Sequence, residues 1–328
     1  MKTMFIVLII TVFTFSSCNE SIPVRKEARA VYVAGSEGNV AKYWKNGIAT
    51  NLSDGTNPAR AASIFVSGSD IHVAGHESTG GGNSIAKYWK NGIAANLTDG
   101  TNFAEAHSIF VSGSDVYIAG YEDGAAVSWK NGIATTLSDV GNAYSIFVKG
   151  SDVYAAGWDG LVATYWKNGI VTNLTDGTHN AAAHSIFVKG SDVYAAGSEY
   201  PEGVTQNAIY WKNGVAIDLA DHWSHASSIF VKGSNVHVTG WESEPSGFKV
   251  KYWKNGVPTT LNENEDESGA GESIFVSGSD VYVAGFEGNV AKYWKNGSPT
   301  SLTNGAVQAF AMSIFVTEIT SVDSFTDF

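Results

Sequence analysis

Residues 108–137 read SIFVSGSDVYIAGYEDGAAVSWKNGIATTL, and this order of pieces returns along the chain. Its most recognisable part, YWKNG or the near copy SWKNG, occurs seven times, with its tryptophan at Trp44, Trp89, Trp129, Trp166, Trp211, Trp253 and Trp294. Successive copies lie 37 to 45 residues apart. A chain that restates one supersecondary unit at such a period is a closed or stacked array, because each unit buries its apolar face only against its neighbours.

Four pieces of 108–137 have strand character: SIFV (108–111), VYIAG (116–120), AVSWK (126–130) and IATTL (133–137). All are rich in β-branched and aromatic residues and too short for helices. We name them strands a to d. Strands a and b are joined through Ser112-Gly113-Ser114-Asp115, and c and d through Asn131-Gly132, a two-residue loop suited to a type I′ hairpin. Four antiparallel strands per repeat make one propeller blade. The first repeat starts at Val31 with strand b and has no SIFV before it, whereas an unpartnered SIFV stands at 313–316. That last strand completes blade 1 and leaves no open sheet edge. The expected fold is therefore all-β, a seven-bladed β-propeller of four-stranded antiparallel blades over residues 31–316, closed by the C-terminal strand.

Loop lengths sort the two faces of the ring. From the Val of SIFV to the Gly ending strand b the offset is nine in all six copies holding both, and from Trp to the Leu of strand d it is eight in all seven. From the strand b Gly to the residue before Trp it runs 8, 13, 8, 8, 13, 12, 8. The a–b and c–d turns thus form a uniform base, while the b–c and d–a loops form a variable face, the usual place for a binding surface on a repeat scaffold.

The N-terminus has a different character. Lys2 precedes the apolar run 4–15, a short secretory segment that ends at Phe15-Ser16-Ser17-Cys18. This resembles a bacterial lipobox with Phe15 where Leu is usual, and the similarity implies lipidation of Cys18, the only cysteine in the sequence. The expected organisation is a lipoprotein signal peptide at 1–17, a lipidated tether at 18–30, the propeller at 31–316 and a tail at 317–328. Asn19 is not the Asp that retains some lipoproteins at the inner membrane, so the expected address is the cell envelope, at the outer membrane.

Charge then orients the ring. Removing 1–17 takes away Lys2 alone, leaving 19 basic and 32 acidic groups, a net charge of 19 − 32 = −13. Such a balance argues against a nucleic-acid partner. The base turns carry Lys45, Lys90, Lys130, Lys167, Lys212, Lys254 and Lys295, with Lys149, Lys189 and Lys232, against Asp70, Asp115, Asp152, Asp192 and Asp280. The variable loops hold most other acids and few bases beyond Arg60 and Lys249. A tether leaving from the base would hold that face near the membrane, with the acidic face pointing away.

Candidate site residues fall into three sets. Two residues after the strand b Gly comes an acid in every blade, Glu37, Glu77, Glu122, Asp159, Glu199, Glu242 and Glu287, and strand c offers Lys42, Lys87, Lys251 and Lys292 for cross-strand pairs. The residue before SIFV reads Ala62, His107, Tyr144, His184, Ser227, Glu272, Met312, which places His107, Tyr144 and His184 on one arc of the channel mouth with Glu272 beyond. No metal-ligand spacing supports them, and channel water is the expected neighbour. Outside the repeated positions, Trp158, Trp223 and Trp241, with Tyr121 and Tyr200, put aromatic surface beside Asp159, Glu242 and His222; such a mixture suits sugars and cationic groups. The seven repeated tryptophans read instead as core.

Seven copies, the closing strand and the lipobox together resemble bacterial seven-bladed β-propeller lipoproteins of the cell surface. YWKNG is not the WD40 signature, and Leu52-Ser53-Asp54-Gly55-Thr56 is not the sialidase Asp-box. The resemblance is architectural and does not choose among propeller functions; the leading expectation is a monomeric ring anchored by lipid that binds glycan or protein through its variable face, with no cofactor and no chemical step. A scaffold subunit of an envelope complex and a propeller lyase or hydrolase are the alternatives.

Overall fold

The computed structural model describes residues 28–200, 206–262, 264 and 266–319. They form seven separate four-stranded antiparallel sheets, a β-propeller. Blade 1 is ordered Ala309–Ile319, Ala28–Glu37, Val40–Lys45, Ile48–Asn51, so the C-terminal strand closes the ring as the missing first SIFV requires. Pairing extends beyond the expected limits of the ring, to Ala30↔Thr317, Arg29↔Glu318 and Ala28↔Ile319. These residues, expected in tether and tail, continue as paired strands where the other blades make their a–b turn. Arg29 secures the extension to blade 7, its Nη1 donating to Asp280 Oδ2 at 2.8 Å.

Each letter of SIFV has a separate role. Ile and Val point into the blade core and are buried in all seven copies. The seven Phe rings, Phe65, Phe110, Phe147, Phe187, Phe230, Phe275 and Phe315, touch in a closed circle at centroid separations of 4.8–5.2 Å. Ser closes a second circle, since each Oγ accepts the Ile N–H of the next blade at 3.1–3.2 Å, from Ile64 on Ser313 round to Ile314 on Ser273. Strand a is the inner edge of its sheet, so that N–H has no ladder partner, and the hydroxyl supplies one.

Just before SIFV the pairing of strands a and b slips by one residue in every blade. The skipped residue, Ala62, His107, Tyr144, His184, Ser227, Glu272 or Met312, is thus a β-bulge. The bulge explains the fixed glycine opposite. A Cβ on Gly35, Gly75, Gly120, Gly157, Gly197, Gly240 or Gly285 would lie only 1.7–2.0 Å from a strand a carbonyl oxygen. The repeated tryptophans fill the space between blades at 0–1 % exposure. Trp89, for instance, packs among Ala34, Ala41 and Leu52 of blade 1 and donates its indole N–H to the Leu52 carbonyl at 3.0 Å.

At the base, every Asn-Gly pair has two positive φ angles, 51–52° at Asn and 80–83° at Gly, the geometry of the type I′ turn. Five base aspartates each hold a strand c lysine at 2.7–3.3 Å. The base lysine excess is therefore partly neutralised in place. Along the rim, Ile48, Ile93, Ile133, Ile170, Val215 and Val257 open strand d in full view of solvent. These outer strands stay short, and two carry Pro258 and Pro299, which limits edge-to-edge pairing.

Two stability measurements test this account. Gly157→Ala, which forces a Cβ against the Asn142 carbonyl, should cost about 3 kcal/mol or more by urea unfolding, whereas Ser145→Ala should cost about 1 kcal/mol. Deleting residues from Ser313 onward removes the inner strand of blade 1 and opens both circles; the truncated chain should lose its single cooperative thermal transition.

Candidate functional site

The b–c and d–a loops meet on one face, as their lengths suggest. In six blades the b–c turn takes a carbonyl from the d–a segment leading into the same blade, as in Gly38 N–H to Gln308 at 2.9 Å, Ser78 to Pro58 at 2.8 Å, Asp123 to Phe103 at 3.0 Å and Ser243 to Trp223 at 2.8 Å. Strand d ends at Asn51, Asn96 and Asn173 in these blades, and two residues on the hydroxyls of Ser53, Thr98 and Thr175 accept the strand c N–H of Ala41, Ala86 and Ala163.

At the channel mouth the bulge sets the chemistry. It brings His107 against Tyr144 (5.4 Å between centroids) and Tyr144 against His184 (4.8 Å). The arc then continues through a residue the sequence reading missed, His225, 4.3 Å from His184 and stacked on Trp241 at 5.7 Å. Gln206, also missed, is buried behind it and bridges the Ser198 hydroxyl and His225 Nδ1, both at 2.7 Å. His225 Nδ1 therefore accepts, which leaves the ring proton on Nε2. Burial holds His107 and His225 down at about 4 and His184 well below the usual imidazole range. At neutral pH the arc is an uncharged aromatic wall. Glu272 stands apart from it, making no hydrogen bond or ion pair among the described residues, and burial pushes its carboxyl up to about 7 against an opposing pull from Arg60.

The aromatic candidates divide by packing. Trp223 and Tyr200 are 43 % and 48 % exposed. Trp158 and Trp241 are half-buried: the first donates to the Tyr144 hydroxyl at 3.1 Å, and the second lies between His225 and Phe248, whose ring is 4.6 Å away. Tyr121 meets Phe103 edge-on at 6.0 Å. The acids are also engaged. Glu242 is buried and bound to Lys251 at 2.9 Å, with His222 Nε2 3.6 Å away, while Asp159 accepts from Ser138 at 2.7 Å. The strand b acids Glu37, Glu77 and Glu287 pair with Lys42, Lys87 and Lys292.

Among the described residues, two clefts line this face. The larger, of about 570 Å³, crosses blades 1 to 3 and presents Arg60, His76, Phe103, Glu105 and Phe310 beneath the long b–c loop of blade 2. His76 Nε2 lies 3.4 Å from Glu105, and His107 Nε2 3.8 Å from the same carboxyl. The smaller, of about 290 Å³, is walled by Tyr144, Trp158, His184, Ser198 and Tyr200. Among the described residues no three His, Cys, Asp or Glu side chains gather as a metal site. Arg60, Glu105 and His225 share one strand a position, two before the bulge, which otherwise reads Asn142, Ala182, Ala270 and Phe310. That polar scatter on an otherwise repeated strand was the available signal. Cys18 and the signal segment lie outside the described residues.

No protein-family model matches the chain, and no curated protein matches it. Among solved structures it is similar to the computationally designed Ika8 protein, at 16 % identity over 86 % of each chain and a TM-score of 0.47. It is also similar to a chain of a nidogen/laminin complex, at 8 % identity over 88 % of this chain and 98 % of that one, TM-score 0.48. A puromycin-hydrolyzing peptidase of Mycobacterium tuberculosis gives 11 % identity and 0.48 over 71 % of this chain and 45 % of its own. None of these likenesses carries an argument about ligand or activity.

The raised Glu272 pKa binds a proton more tightly folded than unfolded, so its stabilising effect is complete below about pH 4.5 and is lost as pH rises through about 7. The depressed histidines act in the opposite sense, stabilising above about 6.5 and losing that effect as pH falls through about 4. Glu272→Gln isolates the first contribution. Relative to the parent, the variant should gain about 1 kcal/mol between pH 5 and pH 8 by urea unfolding, less than full linkage because the Glu272 residue stays partly exposed to solvent.

Proposed function

We propose that this chain is an envelope-anchored binding protein that captures a glycan or protein ligand on its variable face and performs no chemical step. A β-propeller is consistent with a binding or scaffold role. One observation carries the finer reading: long loops, the exposed rings of Phe103, Tyr200 and Trp223 and the cleft of about 570 Å³ occupy the same face, while the opposite face repeats one paired turn. The lipobox-like 15–18 segment supports attachment through Cys18 to the cell envelope, at the outer membrane.

A glycan array probed with the purified protein should give signals that Trp223→Ala and Tyr200→Ala reduce about tenfold or more and that Lys90→Ala on the base leaves intact. An array without signal, together with a single protein recovered by crosslinking in intact cells, would assign the scaffold role instead. Cys18→Ala should release the protein from the membrane fraction and abolish fatty-acid labelling; retention of both would overturn the anchor.

A further inference from the structure

The cleft over blades 1 to 3 holds a cation that the fold leaves uncommitted. Arg60 enters it from strand a of blade 2 (Ala59–Ser67). Among the described residues its guanidinium makes no hydrogen bond and no ion pair, and its close partner is the Phe310 ring, with the guanidinium carbon 5.1 Å from the centroid. The lysines of neighbouring b–c hairpins behave differently. Lys42, Lys87, Lys251 and Lys292 are all bound to acids of their own hairpins. Glu105 shares the cleft and feels the Arg60 charge, yet burial still raises its carboxyl and its oxygens face His76 and His107 rather than the guanidinium.

A guanidinium held over an aromatic ring makes no hydrogen bond to it and keeps its planar set of donors free, and that fork matches a carboxylate. The cleft is partly shielded from water, which strengthens such a pair. Around it stand the amides of Asn39 and Gln308, the His76 ring, whose buried Nδ1 lacks a partner, and Phe103, 44 % exposed. A volume of about 570 Å³ suits a ligand of one or two sugar rings. Glu105 adds a selection rule. It repels a second carboxylate but accepts hydroxyl protons, which favours a polyhydroxylated ring with a single acid group over a polyanion.

We propose that this cleft binds a uronic-acid unit of a glycan, with the carboxylate on Arg60, the apolar ring face on Phe103 and hydroxyls on Asn39, Gln308 and Glu105. The assignment rests on the binding role of the variable face and narrows its ligand to an acidic sugar. A peptide C-terminus shares the carboxylate but would leave the ring of amides around Arg60 unused.

The test is a saturation-transfer NMR titration of the full chain with methyl glucuronide and methyl galacturonide, against methyl glucoside and methyl galactoside as neutral counterparts. At least one uronide should bind about tenfold more tightly than its neutral counterpart. Arg60→Gln should erase that ratio, and Arg60→Lys, which keeps charge without the fork, should retain part of it. Phe103→Ala, at an exposed position, should weaken acid and neutral sugars alike and preserve the ratio. A ratio near one, or a ratio unchanged in a folded Arg60→Gln protein, overturns the uronate assignment while array binding of other glycans would leave the wider reading standing. Binding of N-acetylphenylalanine without binding of either uronide overturns it in favour of a peptide carboxylate.

Discussion

Seven sheet edges converge on one axis, and the molecule depends on how those edges are satisfied. An innermost strand presents a row of N–H and carbonyl groups with no further strand to pair with. Here the serine of SIFV gives its neighbour's isoleucine N–H a partner, and the phenylalanine two places on fills the space the strands enclose. Both circles are complete only when the seventh contributor is present, so the blades are coupled through the axis as well as through the tryptophans between them. The bulge above these circles is where regularity stops. By taking one residue out of the ladder in every blade, it frees seven side chains from sheet pairing and turns that level of the ring toward chemistry.

Blade number, strand order, closure and the division into two faces were legible in the sequence because each is a matter of counting: copies, offsets and one missing strand. What the counts could not give was direction. The residue before SIFV was identified as channel-facing by position, but the reason, a slip of register matched by a glycine opposite, needs the backbone path. His225 escaped notice because it occupies a strand position two residues from the counted one, and only the stacking of rings around the axis unites the two levels. Strand pairing runs past residues 31 and 316 for a related reason. Ala28–Ala30 and Thr317–Ile319 lie outside the repeat, and their pairing comes from strands continuing past the last repeated residue.

The aromatic residues show how far composition can carry a site. Trp158, Trp223 and Trp241 are equally conspicuous outliers in the repeat, yet Tyr144 engages the first and His225 with Phe248 enclose the third, while Trp223 meets Trp241 and Phe248 edge-on and stays 43 % exposed. Acids follow the same rule. Glu242 looks like a ligand-facing carboxylate in the sequence and proves to be the buried partner of Lys251. Arg60 is the reverse case, a base of the variable face whose guanidinium lies over the Phe310 ring and makes no ion pair among the described residues.

The position of the seam gives the larger cleft a temporal property. Its walls include Ser36 and Asn39 from the first blade's outer hairpin and Gln308 and Phe310 from the strand that closes the ring. During synthesis the first pair emerges well before the second, separated by six intervening blades. A chain interrupted anywhere before its final strand can fold blades and still present half a cleft. Occupancy of that cleft would therefore certify a finished molecule, and a ligand seated there would bridge the seam and resist its opening.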